Sequence, residues 1–273
     1  MGYNAGVARP KNGSFSVTFC WAPHVHPSVP WGEALDERSD RHSSDYLVPA
    51  GEPRLADRTN SDLQNDLARL DGLELPVGVW GRKRVQQATE HYGLPTAESR
   101  RQRQCSVQEW LDLGARVYAH IRAMQALNDL GLEALADLVL HERNSAIEAW
   151  TTAGRPLEGA CSWNLWIWSE LRNALGNSVT TPAEYRRRIA SQLENAFWLC
   201  IRSLVRHRTT GDVVLELTPS EWLNWLLADS WWRRRPIRVC KGCNRLFIAK
   251  HASKEYCHGR CRKRRHDGER RAG

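Results

Sequence analysis

Four cysteines near the end of the sequence constrain this chain more than any other feature. Cys240-Lys241-Gly242-Cys243 and Cys257-His258-Gly259-Arg260-Cys261 form a C-x2-C pair and a C-x3-C pair, with thirteen residues between them. Thiolates at that spacing can converge on one tetrahedral cation, and four of them fill its coordination, leaving no position for a substrate or an activated water. The expected cofactor is therefore one structural Zn(II) per chain, held by Cys240, Cys243, Cys257 and Cys261. Two disulfides or four free thiols are the competing readings. The pairing at metal-ligand spacing favours the metal, because Cys20, Cys105, Cys161 and Cys200 are scattered elsewhere. His258 is a conceivable substitute ligand, but the cysteine set is complete without it.

The residues around the cysteines suggest how the segment folds. Gly242 allows a tight knuckle whose N–H groups point at the sulfurs. Arg245 to Ala249 and Glu255-Tyr256 read as two strands joined by the polar turn Lys250 to Lys254. The second cysteine pair is expected in the first turn of a helix, where the positive end of the helix dipole favours thiolates. Knuckle, hairpin and helix make a treble clef. Phe247 and Tyr256 are its candidate core, too small to fold without the metal.

Ahead of it, the chain reads as mainly α-helical. Residues 1–58 are rich in Pro, Gly, Ser and His, and suggest a short strand or hairpin, Ser14 to Phe19, followed by irregular chain. Residues 59–235 carry the helical signals, and 236–273 the finger with its basic tail. Capping-box pairs stand at Ser61/Gln64, ahead of Leu63, Leu67 and Leu70, and at Ser106/Glu109, ahead of Trp110, Val117, Ile121, Met124 and Leu127. Further helices are expected from Gly81 to Tyr92, from Leu132 to Arg143 and from Ser162 to Leu175. Thr181-Pro182-Ala183-Glu184 and Thr218-Pro219-Ser220-Glu221 are both strong helix starts. The first predicts a stripe of Tyr185, Ile189, Leu193, Phe197, Ile201 and Leu204. The second follows a strand-like Val213 to Leu217 and points Trp222, Leu226 and Leu227 inward. The residues after the two starts do not match, so this is shared helix chemistry and not an internal repeat. Thirteen tryptophans suggest a stacking surface or, on their helical spacing, core packing.

Charge is divided unevenly. From Arg233 onward there are fifteen Lys/Arg against three acids, a net +12, which leaves 24 basic and 28 acidic residues before that point. Such a foot attracts phosphate backbones without sequence preference. The expected nucleic-acid contacts are Arg233, Arg234, Arg235, Arg238, Lys241 and Arg245 around the knuckle, and Lys250 and Lys254 in the loop. Arg260, Arg262, Lys263, Arg264 and Arg265 complete the set on the helix after Cys257. DNA is expected ahead of RNA.

The segment resembles the carboxy-terminal finger of many uncharacterised bacterial proteins and is similar to the CGNR zinc-finger group. The resemblance is carried by Cys240, Cys243, Phe247, Tyr256, Cys257, Cys261 and Arg262, and by Glu90-His91-Tyr92-Gly93-Leu94 at a helix end in the body. Here Cys261-Arg262-Lys263-Arg264 stands where that group carries Gly-Asn-Arg, and the cysteine spacings are shorter. The resemblance implies a bacterial DNA-binding protein that regulates transcription. Its helical body would bind a ligand, a protein partner or a second copy of itself.

Two other functions are open: a protein-interaction module whose finger is purely structural, and a treble-clef nuclease. There is no P-loop, Gly-rich dinucleotide turn, G-x-S-x-G or H-E-x-x-H, so no enzyme is expected and no catalytic residue is assigned. His141-Glu142 and His266-Asp267 lack partners at a recognisable spacing. Cys20, His24 and His26 resemble part of a second metal site less than a proline-rich loop. Met1 to Thr18 carries no signal-peptide pattern and no apolar run is long enough to span a bilayer, so a cytoplasmic protein without a membrane partner is expected.

Overall fold

The structure, a computed structural model, describes residues 16–21, 25–27, 46–49, 54–57, 63–70, 79–129, 131–152, 181–200, 204–206 and 213–272. It is mainly helical. The elements run β1 (Ser16–Trp21), β2 (Val25–Pro27), β3 (Tyr46–Pro49), β4 (Arg54–Asp57), α1 (Leu63–Leu67), a 3-10 turn (Ala68–Leu70), α2 (Val79–Tyr92) and α3 (Ala97–Gln102). They continue with β5 (Cys105–Ser106), α4 (Val107–Asp129), α5 (Gly131–Thr152), α6 (Pro182–Cys200), β6 (Leu204–Arg206), β7 (Val213–Leu217) and α7 (Pro219–Trp232). The last are β8 (Ile237–Val239), β9 (Leu246–Ile248) and α8 (Gly259–Ala272).

Helix α4 is the axis of the body. Its capping box forms as expected: the Glu109 carboxylate accepts the Ser106 N–H at 2.7 Å, and the Ser106 hydroxyl accepts the Glu109 N–H at 3.1 Å. The expected stripe of Trp110, Val117, Ile121, Met124 and Leu127 is buried together with Leu113, but so are Leu111, Ala115, Ala119 and Ala123 on other faces. A helix apolar on most sides lies inside a fold rather than on it. Accordingly α4 touches α1, α2, α5, α7 and both strands of the β8–β9 ribbon. Small residues let the closest neighbour approach. A Cβ placed on Gly114 would stand 2.6 Å from the Leu70 carbonyl carbon and 2.8 Å from the Leu67 carbonyl oxygen.

Both Thr-Pro starts are helix starts. Thr218 and Glu221 form a reciprocal box in which the Thr218 N–H reaches Glu221 at 2.7 Å, and the Thr181 hydroxyl accepts the Glu184 N–H at 3.2 Å. The two helices they begin, α6 and α7, form the most extensive helix pair among the described residues. Tyr185 meets Trp231 edge-on at 5.9 Å, and Phe197 lies 5.3 Å from Trp225. Trp222 and Trp231 are buried, as core packing requires.

Several elements differ from expectation. Helix α6 ends at Cys200 and Leu204 belongs to strand β6, because Leu204–Arg206 pairs back onto Val213–Leu215; Ile201 lies outside the described residues. Helix α5 runs to Thr152 rather than Arg143. Helix α3 was not expected; Thr96 caps it, accepting the Ser99 N–H at 3.1 Å. The helix expected over 162–175, Ser61, His24 and Trp163, Trp166 and Trp168 lie outside the described residues.

The early strands join two sheets. One has the order β4-β1-β7-β6, with β1 parallel to β7 in the register Ser16↔Val214 to Phe19↔Leu217; the other has the order β2-β3-β5. The first pairing joins segments some two hundred residues apart, so no local pattern announces it.

His120 on α4 is buried, with Nδ1 2.7 Å from the Arg116 carbonyl. Burial, reinforced by the Arg116 charge, pushes its pKa down to about 4.

Two predictions follow from this core. Gly114→Ala must separate α4 from the turn before it, because backbone cannot rotate away as a side chain can. A loss of about 2 kcal/mol or more is expected in urea unfolding. For His120, the folded state stays neutral while the unfolded chain takes a proton near pH 6.5. Its contribution is therefore complete above about pH 7 and shrinks as pH falls, levelling off below the folded value. Wild type should lose about 2 kcal/mol more than His120→Gln between pH 8 and pH 5. Parallel pH profiles of the two proteins would rule this out.

Candidate metal centre

Strands β8 and β9 pair antiparallel, Ile237 opposite Ile248 and Val239 opposite Leu246, and the first cysteine pair forms the turn between them. The hairpin thus lies one strand earlier than expected. Glu255-Tyr256 is loop, tied to the knuckle by the Lys241 N–H on the Glu255 carbonyl at 3.1 Å. The β-branched Ile237 and Val239 are the better strand formers, a signal obscured by the arginines around them.

The turn is closed by the Cys240 N–H on the Arg245 carbonyl at 2.9 Å and the Asn244 N–H on the Cys240 carbonyl at 2.8 Å. The residue with left-handed backbone is Asn244, at φ 56°, and not Gly242. Gly242 is required for space: a Cβ there would stand 2.6 Å from the Cys261 carbonyl oxygen and 2.9 Å from the Cys261 Cβ. Its N–H does point at a sulfur, reaching Cys240 Sγ at 3.4 Å, and the Cys257 N–H reaches the same atom at 3.3 Å. Cys261 lies in the first turn of α8, while Cys257 precedes that helix by two residues.

The four sulfurs lie within 4.8 Å of one another and form the one such cluster among the described residues. Cys243 Sγ is 3.7 Å from Cys257 Sγ, which is 3.4 Å from Cys261 Sγ. A tetrahedral ion with metal–sulfur bonds of about 2.3 Å needs sulfurs about 3.8 Å apart, so the set fits one cation. These separations exclude disulfides, and all four cysteines are free thiols. Burial opposes ionisation of Cys240, but the N–H groups of Cys257 and Gly242 outweigh it and draw that thiol down to about 7. Burial and the adjacent sulfurs push Cys257 up, with Arg69 working against them. A cation offsets the cost of ionising these buried thiols together, which makes it the natural occupant.

His258 is not part of the cluster. Its Nδ1 accepts the Arg260 N–H at 3.0 Å, which leaves the proton on Nε2, 3.8 Å from Asp66 Oδ1. Phe247 is buried with Ala249 and three of the cysteines, and Tyr256 packs against them, as expected of the small core.

The sequence reading missed the helical body's share in this centre. Arg69 donates from Nη2 to Cys261 Sγ at 3.2 Å. Burial disfavours its charge, but the thiolates of Cys257, Cys261 and Cys243 raise its pKa on balance. One turn earlier, the Asn65 side chain accepts the Ile248 N–H at 2.9 Å and donates to the Ile248 carbonyl at 3.0 Å, pairing with β9 as a strand would. Arg245 donates to the Arg69 carbonyl at 3.2 Å. Buried polar residues among Leu63, Leu67 and Leu70 were the available signal, and it named no partner.

The expected nucleic-acid contacts separate into two groups. Arg233 and Arg235 bond Asp229 at 2.5 and 2.6 Å, Lys241 pairs with Glu255 at 2.5 Å, and Lys254 stands over the Phe247 ring at 5.8 Å. Arg234, Arg238, Lys250, Arg260, Arg262, Lys263, Arg264 and Arg265 are exposed, the last five along α8 with His266. No helix among the described residues is long and apolar enough to cross a membrane.

No known protein family matches the chain, and no characterised protein or solved structure is significantly similar to it.

Removal of the second-layer contacts should be felt by the metal. Arg69→Gln should weaken uptake about 10- to 100-fold in competition with a chromophoric chelator. Gly242→Ala should weaken it at least as much, since its Cβ meets backbone. Unchanged affinity in both would show that the centre does not depend on the contact between knuckle and helix.

Proposed function

We propose that the protein binds nucleic acid, DNA ahead of RNA, through helix α8, which a structural Zn(II) holds in place, and that it serves as a non-catalytic regulator of transcription. Zinc follows from the ligand chemistry: four thiolates in a tetrahedral set suit a soft cation without redox chemistry, and they leave no open coordination position. When bound, the ion supplies structure, fixing the knuckle to the first turn of α8.

The observation that carries the reading is the character of α8. Five consecutive or near-consecutive basic residues, Arg260 and Arg262 to Arg265, are exposed, and the helix has no acid in its first turn. Cys261 is buried in its first turn and anchors it. A short helix that is polar all round and crowded with like charge gains little from packing on its own chain. Phosphate groups supply counter-charge to such a helix.

The test is binding of zinc-quantified protein to mixed DNA and RNA fragments over a salt series. One zinc per chain is expected, with affinity falling steeply as salt rises. Replacing Arg262, Lys263, Arg264 and Arg265 by Gln should weaken binding to every sequence and reduce the log–log salt slope by about 3 to 4. Absence of binding even at low salt, with zinc in place, would overturn the proposal and leave a finger that serves a protein partner.

A further inference from the structure

A cleft of 1110 Å³ opens between α2 of the helical body and the start of α8, bounded also by α1 and the knuckle. Arg84 lines it from α2, and Arg260 and Arg264 line it from α8. None of these three guanidinium groups has a carboxylate partner among the described residues. The acids in the same cleft are occupied: Asp66 accepts the Tyr92 hydroxyl and faces His258, and Glu90 accepts from Gln86 at 3.1 Å. The deeper arginines are committed as well, Arg69 to Cys261 and Arg245 to the Arg69 carbonyl.

Three arginines from two separate elements thus border one concavity, and none of the three is paired with a carboxylate among the described residues. Their mutual repulsion is a standing cost, and the group that relieves it best is a phosphate, whose oxygens match the planar guanidinium fork. We infer that this cleft is a phosphodiester-binding site, in which Arg84 of the body and Arg260 and Arg264 of α8 clamp the backbone of the nucleic acid that α8 engages. The inference rests on the nucleic-acid reading and adds that the helical body itself contacts the strand. Because Arg84 and α8 belong to parts that meet across the metal centre, the contact also fixes the angle at which the finger approaches its target.

Lys83 provides the control. It is the neighbouring exposed residue on α2, with one positive charge, and it does not line the cleft. Zinc-loaded full-length wild type, Arg84→Gln and Lys83→Gln are titrated with a short mixed-sequence DNA duplex over a salt series, after confirming equal zinc content and melting temperature. Arg84→Gln should weaken binding about three- to tenfold and lower the salt slope by about 1. Lys83→Gln should stay within about twofold, because it removes the same net charge away from the site. If the two variants are indistinguishable, the cleft is not a phosphate contact and the inference fails while the nucleic-acid reading stands. If Arg84→Gln leaves DNA binding intact but weakens binding of inorganic pyrophosphate, the cleft serves a free phosphate anion and the clamp is likewise overturned. Failure of the wild type to bind DNA at low salt would remove both readings together.

Discussion

The side-chain amide of Asn65 satisfies the N–H and the carbonyl of Ile248 at once, and the remaining contacts of the metal centre are built on that attachment. A two-stranded ribbon of three-residue strands has edges that water or a partner must satisfy, and alone it is marginal. Asn65 takes the place of a third strand while Ile248 enters the main core. One helical turn further, the same short helix and its extension bring Arg69 to Cys261. The finger therefore does not hang from the body on a linker. It is docked through a polar stripe, Asn65 and Arg69, set among the buried leucines of α1 and the 3-10 turn, and through Ile248 in the main core.

That docking also answers an electrostatic problem. Four thiolates around a dication leave a net charge of about −2, which needs donors nearby if it is to sit against a protein core. The N–H groups of Gly242 and Cys257 serve Cys240, and the Arg69 guanidinium serves Cys261. The basic surface outside is thus not the device that balances the centre. Arg262, Lys263 and Arg264 are exposed along α8, away from the sulfurs.

What could be read from the sequence was local. The cysteine spacing, the boxes at Ser106/Glu109 and Thr218/Glu221, and the stripe from Tyr185 to Phe197 each lie within a few turns of chain, and each signal is complete in itself. The knuckle was legible for the same reason, although Gly242 turned out to matter for the room it gives Cys261 and Asn244 to supply the left-handed turn. Arg69 and Asn65 were not legible. Their partners are 192 and 183 residues away, and a polar residue in a leucine-rich helix does not say whether it faces water or a distant sulfur. The parallel pairing of β1 with β7 was hidden likewise.

By its own physics α8 is a weak helix, and that weakness is informative. Arg260 and Arg262 occupy the end of the helix where the dipole favours anions, so these cations oppose the local field rather than complement it. No apolar stripe offsets the cost, and the helix is short enough that propensity alone would not sustain it. In the proposed complex two external terms would offset that cost: a metal, which would fix Cys261 and with it the first turn, and an anion placed among the arginines. In the proposed complex each term favours the same conformation of α8. Loading the metal orders the surface the phosphates need, and phosphates relieve the repulsion that works against that order. Linkage then requires the coupling to be reciprocal, so that nucleic acid tightens metal binding by the factor by which metal tightens nucleic-acid binding.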